Sequence, residues 1–461
     1  MNIFIFRRDL RIYDNTGLNY LLDKKEKILP IFIFDPKQIN ESENPYFSHH
    51  NVQFLDHSLD DLKNQIFSYS KSDLNLFYGD PARVLENIFK NNKINELVVN
   101  EDYTPFSVKR DNNISKLCKK YKVTFKFVED IPLGNFKKIK TGGGTAYKRF
   151  KHFYKKTIKS ELSQPIIKKI TKNKFKNINS EYSVKLDWLK KKYKYNPKLI
   201  VKGGRNNGII QLNTSLEKVN NYPKYRAFPL VKNKHPTTLL SAYIKYGCVS
   251  IREVYQTLLT MVNKDHELIR QLIWRDFYYN LIYFYPKSFT HQTPSYVNNF
   301  PWENDINTFE KWCSGKTGFP FVDAGMRQLN TTGYMPNRLR LCCACFLIKN
   351  LHINWKWGEK YFAQKLIDYD PAQNNGNWQW VSSTGYETQA YYRYMNPIKD
   401  LKTYDPSCIY VKKYIPELSN INTNDILDSY DNNLNNVPYP KPICDFKSSI
   451  KKYKDLVKKL K

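Results

Sequence analysis

The first 130 residues alternate between short apolar runs and stretches with helical periodicity, and this alternation limits the available folds more than any other feature of the chain. Strands that are separated by helices pair in parallel, because each helix carries the chain back across the sheet. The sequence therefore predicts an α/β fold with a doubly wound parallel sheet. The predicted strands are Asn2–Phe6, Ile28–Phe34, Leu74–Tyr78, Glu96–Val99 and Val123–Val128, and the predicted helices include Asn51–Phe67, Pro81–Phe89 and Pro105–Tyr121.

A doubly wound sheet binds its ligands at the carboxyl ends of the strands. In this chain those ends fall at Arg7–Arg11, Asp35-Pro36 and Asn100–Tyr103. No G-x-G-x-x-G motif follows the first strand, so the dinucleotide fingerprint is missing. Gly142-Gly-Gly144 is predicted to lie in a loop. The pattern indicates where a ligand would lie and leaves its identity open.

The character of the chain changes after Asn221, where helical periodicity dominates. A chain of 461 residues is too long for one ordinary core. We expect an α/β domain over residues 1–132, a connector rich in lysine and asparagine over 133–220, and a helical domain with room for a buried ligand over 221–461. Its predicted helices are Thr237–Tyr246, Ile251–Val262, Glu267–Tyr283, Phe321–Leu329, Asn337–Asn350, Trp357–Ile367 and Pro371–Ser382.

Charge and hydropathy narrow the classes of partner. The formal net charge is +31, and a surplus of that size attracts phosphate polymers. AT-rich coding would also enrich lysine and asparagine, so the charge favours a nucleic acid without establishing one. The chain has no apolar window of about 18 residues, and we expect no membrane partner. The first residues resemble a strand more than a signal peptide, so we expect an intracellular monomer that is not secreted.

A group of polar and aromatic side chains shares one face of a predicted helix. Gln271, Trp274, Arg275 and Tyr278 are spaced three or four residues apart. Their side chains would together stack on a flat group and hydrogen-bond its edge. An amphipathic helix with a buried indole and a solvated arginine explains the same spacing, and the pattern alone does not separate the two interpretations.

Two further segments combine ionisable and aromatic residues. In Gly333-Tyr-Met-Pro-Asn-Arg-Leu-Arg340, Pro336 suits the first turn of a helix, and Arg340 could point towards a buried acid. In Asp368-Tyr-Asp370-Pro-Ala-Gln-Asn374-Asn-Gly-Asn-Trp378-Gln-Trp380, a helix cap explains Asp370 but not the pair of indoles. The crowded Cys342, Cys343 and Cys345 lack the spacing of four metal ligands, so we expect no metal.

The chain closely resembles the photolyase and cryptochrome family, most of all the cyclobutane pyrimidine dimer photolyases. The resemblance extends from residue 1 to about Leu418. It is carried by Phe6-Arg-Arg-Asp-Leu-Arg11, Asn100-Glu-Asp-Tyr-Thr-Pro105, Thr141-Gly-Gly-Gly-Thr-Ala-Tyr147, Leu272-Ile-Trp-Arg-Asp-Phe277, the run from Gly315 to Arg340, Asp368–Trp380 and Tyr391-Tyr-Arg-Tyr-Met-Asn-Pro397.

The resemblance implies that the helical domain binds flavin adenine dinucleotide (FAD). By motif, Arg340 and Asp368 form an ion pair over the isoalloxazine ring, Asp370 accepts from the ring or ribose, and Asn374 lies beside flavin N5. A helix that opens at Pro236-Thr-Thr would offer N–H groups to the pyrophosphate. The full implied set is Tyr222, Thr237, Thr238, Leu240, Ser241, Arg275, Asn337, Arg340, Asp368, Asp370 and Asn374.

The family also reduces its photoexcited flavin through three tryptophans. By motif spacing these are Trp378, Trp355 and Trp302, from the flavin to the surface. Each could instead be an ordinary core aromatic residue. An amide at Asn374 is typical of repair enzymes, whereas plant cryptochromes usually carry aspartate there and animal ones cysteine.

In the family's repair reaction, a lesion in ultraviolet-damaged DNA is flipped out of the duplex and receives an electron from excited, reduced flavin. The residues implied to contact DNA or lesion are Arg226, Gln271, Trp274, Asn337, Arg338, Leu341, Trp380 and Arg393. The α/β domain matches the family's antenna domain, which binds a second chromophore such as a folate or a deazaflavin; its pocket residues do not identify which.

Three positions depart from the usual pattern for cyclobutane dimers. Gln271 replaces a lesion-contacting glutamate, Leu341 a methionine and Pro336 a histidine. The (6-4) photolyases need histidines at the positions of Asn337 and Leu341, which cannot supply general acid catalysis here. We therefore expect repair of cyclobutane dimers. The alternatives are (6-4) repair, a cryptochrome-like photoreceptor, or a DNA-binding flavoprotein without activity.

Overall fold

The computed structural model describes residues 1–289, 298–431, 434 and 437–460. Its N-terminal part is built on a five-stranded parallel sheet with the strand order β3-β2-β1-β4-β5. Strands β1 and β2 are buried along their whole length, because helices cover both faces of the sheet. The strands are β1 Asn2–Phe6, β2 Ile28–Phe34, β3 Asn75–Tyr78, β4 Glu96–Asn100 and β5 Thr124–Val128.

The crossover helices begin where the sequence supplies caps. Asp80 accepts from the N–H groups of Ala82 and Arg83 with Pro81 next to it, and Thr104 caps the helix that starts at Pro105. The doubly wound α/β prediction is thus confirmed, with strand ends that shift by one residue. The helices of this part are α1 Thr16–Leu22, α2 Pro36–Ile39, α3 His49–Ser70, α4 Pro81–Asn91, α5 Pro105–Lys120 and α6 Phe150–Thr157.

The described chain has no further named strand after β5, and beyond residue 220 it is mostly helical, as the sequence predicts. Helix α12 and helix α17 lie close together and supply much of the site described below. The helices are α7 Asp187–Lys190, α8 Arg205–Leu216, α9 Tyr222–Tyr225, α10 Ser241–Lys245, α11 Ile251–Leu259, α12 Glu267–Phe284, α13 Ile306–Ser314, α14 Pro320–Thr332, α15 Asn337–Lys349, α16 Trp355–Lys365, α17 Pro371–Ser382, α18 Pro397–Tyr404, α19 Ile409–Tyr414, α20 Thr423–Leu427 and α21 Phe446–Leu460.

One predicted helix start is wrong. The sequence predicts a helix from Thr237 that opens at Pro236, whereas the helix begins only at Ser241. Leu239 has a φ of 55°, which lies in the left-handed region and cannot continue a right-handed helix. The N–H groups of Thr237 and Thr238 therefore do not form a helix N-terminus.

The connector is irregular but packed. Its main chain bridges the sheet where Ile28 pairs with Phe175 and Phe77 with Ser183, and it reaches the helical part through a hydrogen bond from Ile200 N to Thr332 O of 3.0 Å. The expected domain limits at residues 132 and 220 stay predictions.

A buried ionic network joins the sheet to the helical part. Asp130 accepts from Arg11 at 2.8 Å and from Arg252 of α11 at 2.7 Å, and Arg252 also pairs with Asp14. A buried charge is tolerated only when it is paired and hydrogen-bonded, so this network holds the two parts in one arrangement. Among the described residues, no helix is long and apolar enough to cross a membrane.

Candidate functional site

A cavity in the helical part collects most of the side chains implied for the flavin ring. Helices α15, α16 and α17 and the segment between the last two form its walls. Apolar side chains such as Phe362 and Val381 lie opposite amides and carboxylates, which suits a flat heteroaromatic ligand. The lining residues are Asn337, Arg340, Leu341, Ala344, Phe362, Leu366, Asp368, Tyr369, Asp370, Gln373, Asn374, Asn377, Trp378 and Val381.

Arg340 and Asp368 form the ion pair that the resemblance implies. Arg340 Nη2 lies 2.8 Å from Asp368 Oδ2, and the Ser241 hydroxyl donates to the same oxygen at 2.7 Å. The other oxygen, Asp368 Oδ1, is buried without a hydrogen-bond partner in the described chain. A buried acceptor at a cavity wall calls for a donor, and a bound cofactor with polar edges would supply it.

Asn374 is fixed by an acid that sequence reasoning missed. Its Nδ2 donates to Glu359 Oε1 and to the Glu359 carbonyl oxygen, both at 3.0 Å. The donors of the amide are thus engaged, which leaves its carbonyl oxygen as the free polar group. Burial raises the pKa of the Glu359 carboxyl to about 7, although hydrogen bonds from Asn374 and Tyr46 act to lower that pKa. Glu359 lies fifteen residues before Asn374, so no local spacing links them.

Asp370 is held from the other end of the chain. Arg8, which follows β1, forms a buried ion pair with Asp370, and the Tyr279 hydroxyl donates to the same oxygen at 2.5 Å. Burial alone would raise the pKa of the Asp370 carboxyl, but Arg8 and Tyr279 outweigh it and lower that pKa to about 2. Asp370 Oδ1 also caps α17 through Ala372 N. Arg8 and Tyr279 were not among the predicted site residues.

A larger cavity of about 610 Å³ lies at the carboxyl ends of the strands. Arg7 and Arg8 follow β1, Asp35 follows β2, and Asp102 follows β4, where a doubly wound sheet is expected to bind a ligand. Lys245, Glu359 and Tyr369 of the helical part close it. Burial and the nearby Arg8 lower the pKa of Lys245 to about 7. We call this space the sheet cavity and the smaller one the helical cavity; Tyr369 lines both.

Known proteins share this architecture over the whole chain. A family model described as FAD binding domain of DNA photolyase matches residues 268–459, and one described as DNA photolyase matches residues 2–169. A deoxyribodipyrimidine photo-lyase of Buchnera aphidicola is 33% identical over 472 residues, covering 98% of this chain and 97% of the relative. The chain belongs to the DNA photolyase family.

Solved photolyase-family structures superpose closely. An archaeal photolyase from Sulfolobus tokodaii with two FAD molecules has a TM-score of 0.88 at 37% identity and covers 100% of both chains. A cryptochrome from Synechocystis has a TM-score of 0.90 at 26% identity, covering 99% of each chain. The expected family, the expected fold and the expectation of a photo-lyase enzyme with FAD as its cofactor are confirmed.

The residues of the helical cavity fit the photolyase cofactor. The Arg340–Asp368 ion pair, the Asn374 amide and apolar side chains line one cavity, and Asp368, which carries the unpartnered oxygen, is among its lining residues. The residues implied for the pyrophosphate are less tightly grouped. Thr237 Oγ1 lies 3.1 Å from the Tyr334 hydroxyl, and the carbonyl of Thr238 accepts a hydrogen bond from Gln211. Leu240 is buried and Tyr222 is half-buried. Arg275 donates to the carbonyl of Ile131 at 2.7 Å.

Helices α12 and α17, which carry Gln271, Trp274 and Trp380 of the residues implied for the photolyase lesion, pack on each other. Gln373 Nε2 donates to the Arg275 carbonyl at 3.0 Å. A Cβ at Gly376 would lie 2.3 Å from the Tyr278 ring, so only glycine permits this approach. Trp274 stacks on Phe150 with ring centres 3.6 Å apart. Gln271 and Trp380 are half-buried on the same two helices.

The implied tryptophans differ in burial. Trp378 and Trp355 are buried, whereas Trp302 is partly exposed. The Trp302 ring packs on Phe300, with ring centres 4.3 Å apart. Trp302 is thus the most exposed of the three, and the electron path through them stays a prediction. Trp378 also packs against Trp312, with ring centres 6.5 Å apart. The sequence did not single out Trp312.

The arginines implied for DNA phosphates have different partners. Arg338 forms a two-point pair with Asp400, at 3.0 and 2.6 Å, and Arg226 pairs with Glu267. Arg393 is exposed and has no acidic partner among the described residues. It is therefore the one of the three whose charge is unneutralised.

Proposed function

We propose that the protein uses light to split cyclobutane pyrimidine dimers in DNA. The single observation that carries this proposal is the anchoring of Asn374 by Glu359 at the wall of the helical cavity. An amide held in this way presents an acceptor of fixed direction, and it cannot take up a proton as aspartate would. The same wall holds the Arg340–Asp368 pair, so charge and hydrogen bonding are both set in advance.

When bound and reduced, FAD supplies the electron that light transfers to the lesion. Around it, Arg340 would provide positive charge and Asn374 an acceptor, while the apolar wall at Phe362 and Val381 excludes water. Asp370, tied to Arg8, would keep α17 in place. We assign the binding of FAD to Tyr222, Thr237, Thr238, Leu240, Ser241, Arg275, Asn337, Arg340, Asp368, Asp370 and Asn374.

The lesion would lie between the faces of α12 and α17. The indoles of Trp274 and Trp380 offer flat apolar surfaces, and Gln271 can hydrogen-bond a pyrimidine edge without supplying a proton. Asn337 and Leu341 at the cavity wall carry no titratable group, which supports cyclobutane dimers over (6-4) lesions. Arg226, Arg338 and Arg393 would contact phosphates.

Reduction of the cofactor would use Trp378, Trp355 and Trp302 in turn. Trp378 and Trp355 are both buried and Trp302 is partly exposed, which supports an electron path that ends at solvent. Trp302 is the member that an external reductant can reach.

The sheet cavity would hold a second, light-collecting chromophore. Its position at the strand ends and its volume of about 610 Å³ support a sizeable ligand. The Sulfolobus relative contains two FAD molecules, so a flavin joins the folates and deazaflavins as an occupant to be tested. Mass spectrometry of ligand released from purified protein identifies it directly.

The decisive experiment illuminates the reduced protein with oligonucleotides that each carry one defined lesion. We expect repair of the cyclobutane dimer and none of the (6-4) product. Repair of (6-4) lesions alone would replace the lesion assignment, and light-dependent flavin chemistry without any repair would point to a photoreceptor. Asn374→Asp is the matched variant, and it should lower repair per absorbed photon while FAD stays bound.

A further inference from the structure

Helix α21 carries lysines along one flank. Its buried face is formed by Phe446, Ile450, Tyr453 and Val457. At about 3.6 residues per turn, four lysines follow one another beside that face and recur once per turn, and Asp455 is the one acid next to them, four residues after Lys451. We call these four the lysine stripe: Lys447, Lys451, Lys454 and Lys458.

The lysine stripe carries an excess of positive charge, although Lys447 acts electrostatically on the Asp445 carboxylate. None of its members pairs with a carboxylate in the described part of the chain, while Lys452 on the other flank pairs with Glu303 at 2.7 Å. Burial lowers the pKa of Lys349, and the nearby Lys454 ammonium lowers it further. Like charges are therefore concentrated here, which is unfavourable for the fold alone and favourable for binding an anion.

The lysine stripe adjoins the exposed loop that carries Arg393. Lys454 Nζ lies 4.8 Å from the centre of the Tyr394 ring, and that ring packs on Phe446. Lys349 Nζ donates to the carbonyl of Arg393 at 2.6 Å, and this hydrogen bond anchors the main chain of the loop. Tyr392 is 57% exposed. The loop that carries Arg393 thus meets the stripe at Lys454, and Tyr392 adds an exposed aromatic ring beside them.

We propose that the lysine stripe and Arg393 bind the phosphodiester backbone of DNA beside the lesion. The proposal rests on the repair function proposed above, which places Arg393 at the DNA. From Lys447 to Lys458 the stripe extends about 16 Å, or roughly five phosphate steps along one strand. Lysine ammonium groups are point charges that suit contacts independent of sequence.

The test measures binding in the dark, so it does not depend on photochemistry. The triple variant K447Q/K451Q/K458Q is compared with K90Q/K116Q/K119Q, which removes equal charge from exposed positions of α4 and α5. For dimer-containing duplex DNA, the slope of log K against log salt should fall by about 2.7 in the first variant and stay unchanged in the second. Equal slopes in the two variants would overturn the proposal.

Two further binding measurements test whether the DNA contacts the lysine stripe itself. A dimer-bearing strand of about five nucleotides has only about four internal phosphodiesters, so the stripe variant should lose less affinity for it than for the duplex. An equal loss on the short strand and on the duplex would overturn the proposal in favour of a distorted lesion pocket. On the duplex, Lys458→Gln should weaken binding more than Lys459→Gln on the other flank; the reverse order would also overturn it. A protein that binds in this way but repairs nothing contradicts only the repair function.

Discussion

The sheet cavity and the helical cavity are built in opposite ways. The sheet cavity is lined by residues that follow strands, such as Arg7, Asp35 and Asp102, and its position follows from topology. The helical cavity is lined by faces of α15 to α17, and its position depends on how helices far apart in sequence pack. Topology therefore locates the first cavity without naming its ligand, whereas specific side chains identify the ligand of the second.

The strongest test of the helical cavity concerns electron supply. We expect Trp378→Phe to abolish photoreduction of oxidised flavin and to leave repair intact once the flavin is reduced chemically. The physical reason is that phenylalanine is much harder to oxidise than tryptophan. Transient absorption measures the first step and dimer splitting the second. Trp312→Phe, which alters a ring contact of Trp378, is the control and should still photoreduce. Loss of both activities in Trp378→Phe contradicts the relay.

The next largest effect should come from the link between the two cavities. Arg8→Ala leaves Asp370 buried without its partner, and we expect a loss of about 3 to 5 kcal/mol in the free energy of unfolding. Arg226→Ala removes an exposed pair and should cost at most about 1 kcal/mol. Urea unfolding at neutral pH measures both. Similar losses would mean that Arg8 does not hold the cavities together.

A smaller expected effect is the pH dependence of the free energy of unfolding that the Glu359 carboxyl causes. The folded pKa of Glu359 is about 7, above its unfolded value of about 4.3, so the folded protein binds the extra proton and loses stability as pH rises through this range. Glu359→Gln lacks that loss. Relative to wild type, the variant should gain about 2.5 kcal/mol between pH 5 and pH 8. Thermal unfolding at both values measures it; a pH-independent difference would indicate an ordinary pKa.

The smallest effect concerns the lesion face of the helical cavity. Gln271→Glu restores the usual residue of cyclobutane dimer photolyases and should preserve or raise repair, within about threefold, or about 0.6 kcal/mol. Single-turnover repair of a defined dimer is the measurement. A large fall would show that the pocket is adapted to a different lesion.

The sequence correctly predicted those features of the fold that depend on residues close together in the chain. The five strands and the starts of α15 and α17 follow from apolar runs, from Pro336 and from the Asp370 cap. The start at Pro236 failed because Leu239 adopts a left-handed conformation, which the local sequence does not signal. Arg8 meets Asp370 across 362 positions, and Glu359 meets Asn374 only because α16 packs on α17. No periodicity within one segment reports such contacts.

Tyr369 forms part of the wall of both cavities. If each cavity holds a chromophore, as proposed, this one ring would touch both of them. A change at Tyr369 would then alter the surroundings of the light-collecting molecule and of the electron donor together.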